Sequence, residues 1–296
     1  MHKSDSAQDA SWANAWKLMR IPFSIFLMPI FWFALIPLEW TGENIYHIAL
    51  QFLILHLFVY PASNGYNSYF DRDESPIGGL ESPPPVSQKL WYLVLAFDGL
   101  AVVLSLLIGW KFALGILIYL LVSKAYSWDK IRLKKWPLIS TLVVVGFQGG
   151  FTFFLIGMPY DLQENFVAFN PILALVSSLF LAGSYPLTQI YQHKEDAERG
   201  DKTLSILLGI KGTFLFAGGL FTLATGLLFY TFWQTNHATY FYIYLAATVP
   251  VVGFYSSWFS QYLQGNDVIN YRKAMQMNKI SSICLSVAFL GMIFFN

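Results

Sequence analysis

The sequence predicts an all-α membrane protein with nine transmembrane helices and a cytoplasmic N-terminus. Three observations support this prediction: only 12% of the 296 residues are charged, the apolar residues fall into nine runs, and charged loops alternate with nearly uncharged ones. A soluble domain carries about a quarter charged residues, so the composition excludes an ordinary soluble protein. The net charge of +1, without a basic tail, gives no indication of a nucleic-acid partner.

Residues 1–20 form a polar arm, which is expected to lie on the membrane surface with Trp12 and Trp16 as interfacial anchors. No small-residue cleavage site follows the first apolar run, so this run is not interpreted as a removed signal peptide. Residues 21–296 are predicted to form one transmembrane domain. Its single cysteine, Cys284, excludes an internal disulfide.

The nine predicted helices follow from apolar runs of about the 20 residues that a bilayer requires. Inside them, Gly146 and Gly150 are spaced as a helix-packing pair. Asp98, in the third span, is a candidate functional residue, and the alternatives are that it pairs with a neighbouring helix or stays protonated. The helices are expected near residues 21–40, 45–66, 90–109, 111–128, 138–157, 170–191, 211–233, 239–262 and 279–296.

The loops predict the orientation of the chain in the membrane. Those near 67–89, 129–137, 192–210 and 263–278 are charged, and only Lys111 among the 18 Lys and Arg residues falls on the other side. The positive-inside rule therefore predicts that the charged loops and the N-terminus are cytoplasmic. Nine spans then leave the C-terminus outside, and we expect a bacterial cytoplasmic (inner) membrane.

A polar pattern occurs twice, where the second and sixth predicted helices meet the charged loops. Residues 60–71 read YPASNGYNSYFD, and residues 185–196 read YPLTQIYQHKED. The match predicts a partial internal duplication. Each copy carries polar residues at relative positions 0, 3 and 7, which share one face of a helix. The two sets are Asn64, Asn67 and Asp71, and Gln189, Gln192 and Asp196.

Carboxylate and amide oxygens aligned in this way are ligands suited to Mg2+. Because Mg2+ usually takes only one or two carboxylates together with substrate phosphates, two such sets could hold a diphosphate through bridging metal. Ordinary helix ends with solvated polar residues are the alternative interpretation. Groups that could contact a diphosphate lie between and after the two copies. They are Tyr126, Lys130, Arg132, Lys134 and Lys202.

These segments together resemble the UbiA-type intramembrane prenyltransferase family over essentially the whole chain. The family's first motif, N-x-x-x-D-x-x-x-D, is matched by Asn67 and Asp71, with Ser75 at its third position and Asp73 nearby. A Gly- and Pro-rich loop follows this motif, as in the family. The family's segment YS-x(4)-RLK is present as YSWDKIRLK.

The family's second motif, D-x-x-x-D-x-x-x-G-x-x-T-L, is also present with one change. It is matched by Asp196, Gly200, Thr203 and Leu204, with Gln192 in place of the first Asp. Each motif has therefore lost one carboxylate, which weakens the expected magnesium site because neutral side chains are weaker ligands for this cation.

The resemblance implies nine helices around a central cavity. It also implies transfer of a prenyl group from a prenyl diphosphate to an aromatic or other lipophilic acceptor within the membrane, with Mg2+ assisting departure of the diphosphate. Asp71 and Asp196 are expected to be catalytic. The metal ligands are expected to be Asn67, Asp71, Asp73, Gln192 and Asp196. The diphosphate ligands are expected to be Asn67, Tyr126, Lys130, Arg132, Lys134 and Lys202.

Two other functions compete with catalysis. The altered positions Ser75 and Gln192 allow a homologue that binds a prenyl diphosphate without transferring it. The partial duplication allows a membrane carrier of small molecules. A carrier holds its polar residues near the membrane midplane, whereas here they cluster at one face.

Overall fold

The computed structural model describes residues 11–38, 42–160, 170–198 and 200–295. Within these ranges all regular secondary structure is helical, apart from one isolated bridge between Ile77 and Leu80. The predicted all-α class is confirmed. Seven of the described helical stretches are long and apolar enough to cross a membrane, and the count of nine spans stays a prediction.

The described helices are numbered in chain order, and α3 and α6 each contain a short π-helical segment. They are α1 (Trp12–Leu18), α2 (Met28–Leu35), α3 (Gly42–Leu53, π-helical Ile54–Val59 and Tyr60–Asp71), α4 (Gln88–Ser105), α5 (Trp110–Ser127), α6 (Pro137–Val145, π-helical Gly146–Phe151 and Thr152–Gly157), α7 (Pro171–Leu187), α8 (His193–Glu198), α9 (Leu204–Gln234), α10 (Ala238–Leu263) and α11 (Tyr271–Phe294). Short 3-10 helices, Ile21–Leu27 and Leu133–Lys135, precede α2 and α6.

The first polar set lies on one helix, as predicted. Asn64, Asn67 and Asp71 belong to the last part of α3. Pro61, at the second position of this part, cannot donate a backbone hydrogen bond. The π-helical segment comes immediately before it, where wider turns accommodate the proline. The helix therefore continues as far as Asp71.

The second polar set does not share one helix, so that part of the prediction is wrong. α7 ends at Leu187, and Gln189 and Gln192 lie in a turn before α8 begins at His193. Pro186 lies in the last turn of α7, where its missing N–H removes a helix hydrogen bond. The chain continues through bonds from Gln189 N to Pro186 O (3.0 Å) and from Gln192 N to Gln189 O (2.9 Å).

The first and last of the predicted spans meet, and the helices between them enclose an interior. Phe33 of α2 stacks on Phe289 of α11 with ring centroids 4.6 Å apart, and it contacts Phe153 of α6 at 5.4 Å. All three rings are buried. Because lipid offers helices no hydrophobic driving force, dispersion contacts of this kind hold the spans together.

Glycines let α6 approach α7, but Gly146, which the sequence indicated, is not one of them. A Cβ on Gly149 would lie 2.7 Å from Ser178 Cα, and Gly150 N donates to Ser178 Oγ at 2.9 Å. A Cβ on Gly146 would meet nothing within 4 Å. The packing role predicted for Gly146 is therefore wrong. The π-helical segment widens the turns and so changes which residues face α7.

We expect Gly149→Ala to destabilise the protein by about 1–3 kcal/mol, because the new methyl group would overlap the backbone of α7. Gly146→Ala is the matched control on the same helix, and it should leave stability unchanged or slightly higher. Thermal unfolding in detergent measures both effects. Equal melting temperatures for the two variants would contradict this description of the helix contact.

Candidate active site

One cavity of about 370 Å³ lies among α2, α3, α5, α6, α7 and α11, and its volume is within the range of ligand pockets. Its described lining divides into a charged end and a neutral remainder. The charged side chains come from helix ends, loops and the short α8: Arg20, Asp71, Asp73, Lys134, Asp196 and Asp201. The remainder includes aromatic and aliphatic groups farther from the helix ends: Phe33, Phe147, Phe180, Leu285 and Phe289.

Asp71 is the centre of the first motif. Its carboxylate is only 6% exposed and forms an ion pair with Lys134. Asn67 Nδ2 donates to Asp71 Oδ2 at 2.8 Å and to Ser127 Oγ at 3.0 Å, so the amide joins α3 to α5. Arg132 Nη1 lies 3.7 Å from the same carboxylate. Opposite charges in such a poorly solvated position attract strongly, and this attraction holds the basic loop against the first motif.

A tight turn builds the second motif. Gly200 has φ 74°, a left-handed conformation that glycine adopts without strain. This turn lets Asp201 N donate to Asp196 O at 2.9 Å, which keeps two acidic residues close together. Thr203 then caps α9, because its side chain accepts from Ile206 N at 3.3 Å. The glycine and threonine of the motif therefore have structural roles.

Asp201 is a site residue that the sequence analysis missed. It lines the cavity and accepts from Arg132 Nη2 at 3.1 Å. Partial burial alone would lower the pKa of Arg132, but Asp201, Asp71 and Asp129 raise that pKa above its usual value. Arg132 therefore stays charged and links both motifs. In the sequence, Asp201 is one of many acids in a charged loop and carries no distinguishing signal.

Arg20 is a second cavity residue, and the sequence analysis does not single it out. It has φ 49° and separates α1 from the following 3-10 helix. Its Nη1 donates to Gly78 O and its Nη2 to Asn64 O, both at 3.0 Å. Arg20 thereby ties the loop after the first motif to α3. Basic residues at a membrane boundary are common, so its sequence position gives no sign of this role.

Gln192 holds the same loop from the second motif. Its Nε2 donates to Pro76 O at 3.1 Å. The NH2 group of an amide only donates hydrogen bonds, so the side-chain oxygen is the atom that remains for a metal. The Asp that the family motif places here lacks such a donor. The substitution has therefore replaced a carboxylate with a contact to the loop.

Tyr126 belongs to a cluster of three hydroxyl groups that line the cavity. Its hydroxyl lies 2.6 Å from the Tyr185 hydroxyl and 3.2 Å from Ser140 Oγ, and the latter two are 3.1 Å apart. α5, α6 and α7 each contribute one of these groups. The cluster holds Tyr126 between the charged end and the apolar remainder of the cavity.

The structure brings the five predicted metal ligands to one cavity. Of the four predicted basic residues, only two lie in or beside this cavity. Lys134 lines the cavity, and Arg132 contacts motif carboxylates beside it. Lys130 and Lys202 are exposed and do not belong to the described lining. Lys130 Nζ instead lies 5.5 Å from the centroid of the Trp128 ring. The five metal candidates that line the cavity are Asn67, Asp71, Asp73, Gln192 and Asp196.

Asp98 lies outside the described cavity lining and has a charged partner. Its Oδ2 is 2.9 Å from Lys124 Nζ of the neighbouring α5, and that ammonium lies 4.6 Å from the centroid of the Tyr66 ring. Of the three interpretations drawn from the sequence, this geometry favours a pair between neighbouring helices.

The donor groups at the charged end fit a magnesium ion shared with a substrate. Among the described residues, no three His, Cys, Asp or Glu side chains form a group that could hold a metal on their own. Mg2+ usually needs only one or two protein carboxylates when substrate phosphates complete its shell. Asp71 and Asp196, with the amides Asn67 and Gln192, supply this kind of incomplete site.

These features define a membrane-embedded protein whose cavity fits an amphiphile with a polyanionic head and an apolar tail. The sequence model of the UbiA prenyltransferase family matches residues 26–280, and the chain belongs to this family. The resemblance drawn from the motifs is thereby confirmed, as is the assignment to integral membrane proteins. Comparison with curated proteins gives no significant match.

Three solved structures share the fold at low sequence identity. A digeranylgeranylglyceryl phosphate synthase is 21% identical, with a TM-score of 0.60 and coverage of 95% of this chain and 98% of that one. A UbiA homologue from Aeropyrum pernix, in its apo form, is 17% identical, with a TM-score of 0.69 and coverage of 92% and 98%. A homologue from Archaeoglobus fulgidus, bound to DMAPP and Mg2+, is 18% identical, with a TM-score of 0.63 and coverage of 96% and 100%.

We expect Gln192→Met to loosen the loop after the first motif, because methionine has a similar length but cannot donate to Pro76 O. Loss of one hydrogen bond of about 1 kcal/mol corresponds to roughly fivefold faster local opening. Hydrogen–deuterium exchange at Ile77 and Leu80, whose amides pair with each other's carbonyls at 2.9 Å, measures this opening.

Gln261→Met is the matched control, since Gln261 is outside the described lining and its side chain donates to Ser257 Oγ on the same helix. It should leave the loop exchange unchanged. An unchanged rate in Gln192→Met would mean that this bond does not hold the loop.

Proposed function

We propose that the protein transfers a prenyl group from a prenyl diphosphate to a lipophilic acceptor within the membrane. The observation that carries this proposal is a single cavity where carboxylates from both family motifs, Asp71 and Asp196, accompany Lys134 at one end. Aromatic and aliphatic groups line the remainder. This division matches the two parts of a prenyl diphosphate, a charged head and an apolar chain.

Charge balance supports a requirement for Mg2+. The described lining carries four carboxylates but only two basic groups, Lys134 and Arg20. A diphosphate would add further negative charge, so it would be repelled unless cations accompany it. The structural relative from Archaeoglobus fulgidus is bound to DMAPP and Mg2+, which supports the same donor class and ion here. When bound, Mg2+ neutralises and stabilises the departing diphosphate.

The residues of the chain have separate roles in this proposal. Asp71, Asp73 and Asp196, with the amide oxygens of Asn67 and Gln192, would hold Mg2+ together with the phosphates. Lys134, now paired with Asp71, would turn its ammonium to a phosphate oxygen once metal takes over that carboxylate. Arg132 would add positive charge from beside the cavity, and Tyr126 would donate to a phosphate oxygen from its hydroxyl cluster.

Bond cleavage then depends on the apolar part of the cavity. The bond between the prenyl C1 and the diphosphate oxygen breaks, and the diphosphate leaves with the electron pair. The allylic cation that remains faces aromatic rings such as Tyr60, Tyr119 and Phe147, whose negative faces stabilise positive charge. The enclosed lining keeps water from capturing the cation before the acceptor does.

We also propose that the charged end of the cavity faces the cytoplasm of a bacterial inner membrane. Both motifs lie on the side of the chain that holds all Lys and Arg residues except Lys111. Water-soluble Mg2+ and the diphosphate head would therefore enter from the cytoplasm, while the apolar chain would stay within the bilayer.

A second candidate function is binding of a prenyl diphosphate without transfer. It is favoured by the loss of one carboxylate from each motif, since Ser75 does not belong to the described lining and Gln192 is engaged with the loop. The two functions differ in outcome. Both predict magnesium-dependent binding of the donor, but only the first predicts its incorporation into lipid.

We expect Asp71→Asn and Asp196→Asn each to lower incorporation of labelled prenyl diphosphate into lipid at least about 100-fold, because each removes a charge that holds Mg2+. The assay uses membranes of a deletion strain of the native host, complemented with each variant, so that the endogenous acceptor is present. Asp267→Asn, an exposed carboxylate outside the described lining, is the matched control. Near wild-type incorporation by either motif variant would remove the proposed metal site.

We expect geranyl diphosphate to bind the purified protein in detergent only when Mg2+ is present. Lys134→Met should weaken this binding roughly tenfold, since it removes a charge-assisted hydrogen bond to phosphate. The neighbouring Lys135→Met is the control, because Lys135 is exposed and its ammonium lies 5.4 Å from the Trp136 ring centroid. Calorimetry that shows equal affinity with and without Mg2+ would count decisively against the proposal.

A further inference from the structure

A row of polar side chains on α11 faces the cavity and is not used by the donor site described above. Asn278, Ser281 and Ser282 are spaced i, i+3 and i+4, so they share one helical face, and all three line the cavity. Leu285 and Phe289 continue the same face toward the apolar end. We call the three polar residues the α11 polar row.

The α11 polar row has no hydrogen-bond partner among the described side chains and backbone groups. Some serines in the spans return their hydroxyl to the preceding turn, as Ser184 Oγ does to Phe180 O at 2.7 Å. Ser282 is only 5% exposed, yet neither it nor Asn278 makes such a bond. Polar groups at membrane depth are unfavourable unless they are satisfied. Because the three side chains line the cavity, they are available to hydrogen-bond a ligand there.

The row lies next to the place where the donor would react. The first residue of α11, Tyr271, has its ring 5.5 Å from that of Tyr191, which lines the cavity beside Gln192. Asn278 is seven residues farther along, which corresponds to about 10 Å of helix. The row thus comes after the charged end and before the apolar residues. A prenyl C1 attached to a diphosphate at the charged end would occupy the same level.

The charge of the lining restricts what can bind there. Every charged side chain in the described lining comes from a helix end, a loop or the short α8. Both basic groups among them are engaged, since Lys134 pairs with Asp71, and Arg20 donates to Gly78 O and Asn64 O. A carboxylate beside the α11 polar row would lack a cation, and burying an unpaired charge is strongly unfavourable.

We propose that the α11 polar row is the acceptor subsite and that it takes a neutral lipophile bearing a hydroxyl group, not a carboxylic acid. The inference rests on the prenyl transfer proposed above. The amide oxygen of Asn278 accepts a hydrogen bond from the acceptor hydroxyl, while its NH2 group and the serine hydroxyls donate to the acceptor's other oxygen atoms. This set of neutral donors and acceptors satisfies an alcohol or a phenol without any counter-charge.

The reaction at this subsite balances without a further reagent. The bond from the prenyl C1 to the diphosphate oxygen breaks, and a bond from C1 to the acceptor oxygen, or to a ring carbon activated by it, forms. The proton released from that oxygen or carbon leaves with the diphosphate, whose oxygens are basic enough to take it. Asn278 would orient the acceptor so that its reacting atom lies close to the prenyl C1. Most of the rate gain from this subsite would arise from that positioning.

The test compares a negatively charged acceptor with two neutral acceptors. Purified protein in detergent receives geranyl diphosphate and Mg2+ with 4-hydroxybenzoate, with its methyl ester, or with the neutral lipid alcohol monoolein. We expect prenylation of at least one neutral probe, with kcat/KM at least about tenfold above that of 4-hydroxybenzoate. Asn278→Leu, similar in volume but without hydrogen bonds, should raise the KM for that acceptor roughly tenfold and leave the donor affinity from calorimetry unchanged.

Ser286→Ala is the matched control, because Ser286 lies on α11 outside the described cavity lining, and it should change neither constant. Equal or better use of 4-hydroxybenzoate, or an unchanged acceptor KM in Asn278→Leu, would overturn the inference. So would a protein that binds the donor but prenylates neither neutral probe. The proposed function fails instead if the wild type incorporates no prenyl group into lipid in the complemented deletion strain, so the two failures are distinguishable.

Discussion

Charge is strongly unfavourable at membrane depth unless it is paired, and this constraint arranges the site. The charged lining of the cavity is confined to helix ends, loops and the short α8, and its basic groups are engaged there. Lys134 pairs with Asp71, and Arg132 lies between Asp71 and Asp201. These pairs draw the loops over the ends of the spans and so form the charged end. The ion pair of Asp98 with Lys124 obeys the same rule outside the cavity.

The loop after the first motif depends on two further contacts. Arg20 holds Gly78 O, and Gln192 holds Pro76 O, so parts of the chain that are distant in sequence meet at one short segment. The exchange of a motif carboxylate for Gln192 therefore has two effects. It lowers the negative charge available to a metal, and it provides the hydrogen-bond donor that joins the second motif to the loop of the first.

The cavity changes in polarity along its length, and this change would order the reaction that we propose. Carboxylates and Lys134 would hold a diphosphate at the charged end, and Phe33 and Phe289 would contact an apolar chain at the other. Between them the hydroxyl cluster of Tyr126 and the α11 polar row offer neutral hydrogen-bonding groups. A donor and an acceptor sorted by polarity would meet at this middle level.

Composition and motif spacing are enough to predict the all-α class, the membrane setting and the family, because both are local properties of the chain. It also indicated Asn67, Asp71, Gln192 and Asp196, since their side chains recur at matching places in two repeats. The fold brings Asp201 and Arg20 to the same cavity, leaves Lys130 and Lys202 exposed outside its described lining, and places Gly149 instead of Gly146 at the helix contact. The contact at Gly149 depends on the π-helical segment of α6, and the position of Asp201 depends on the left-handed turn at Gly200, and each of these features shifts residues by a turn or less. Shifts of that size leave the pattern of residue types unchanged, yet they decide which side chains meet.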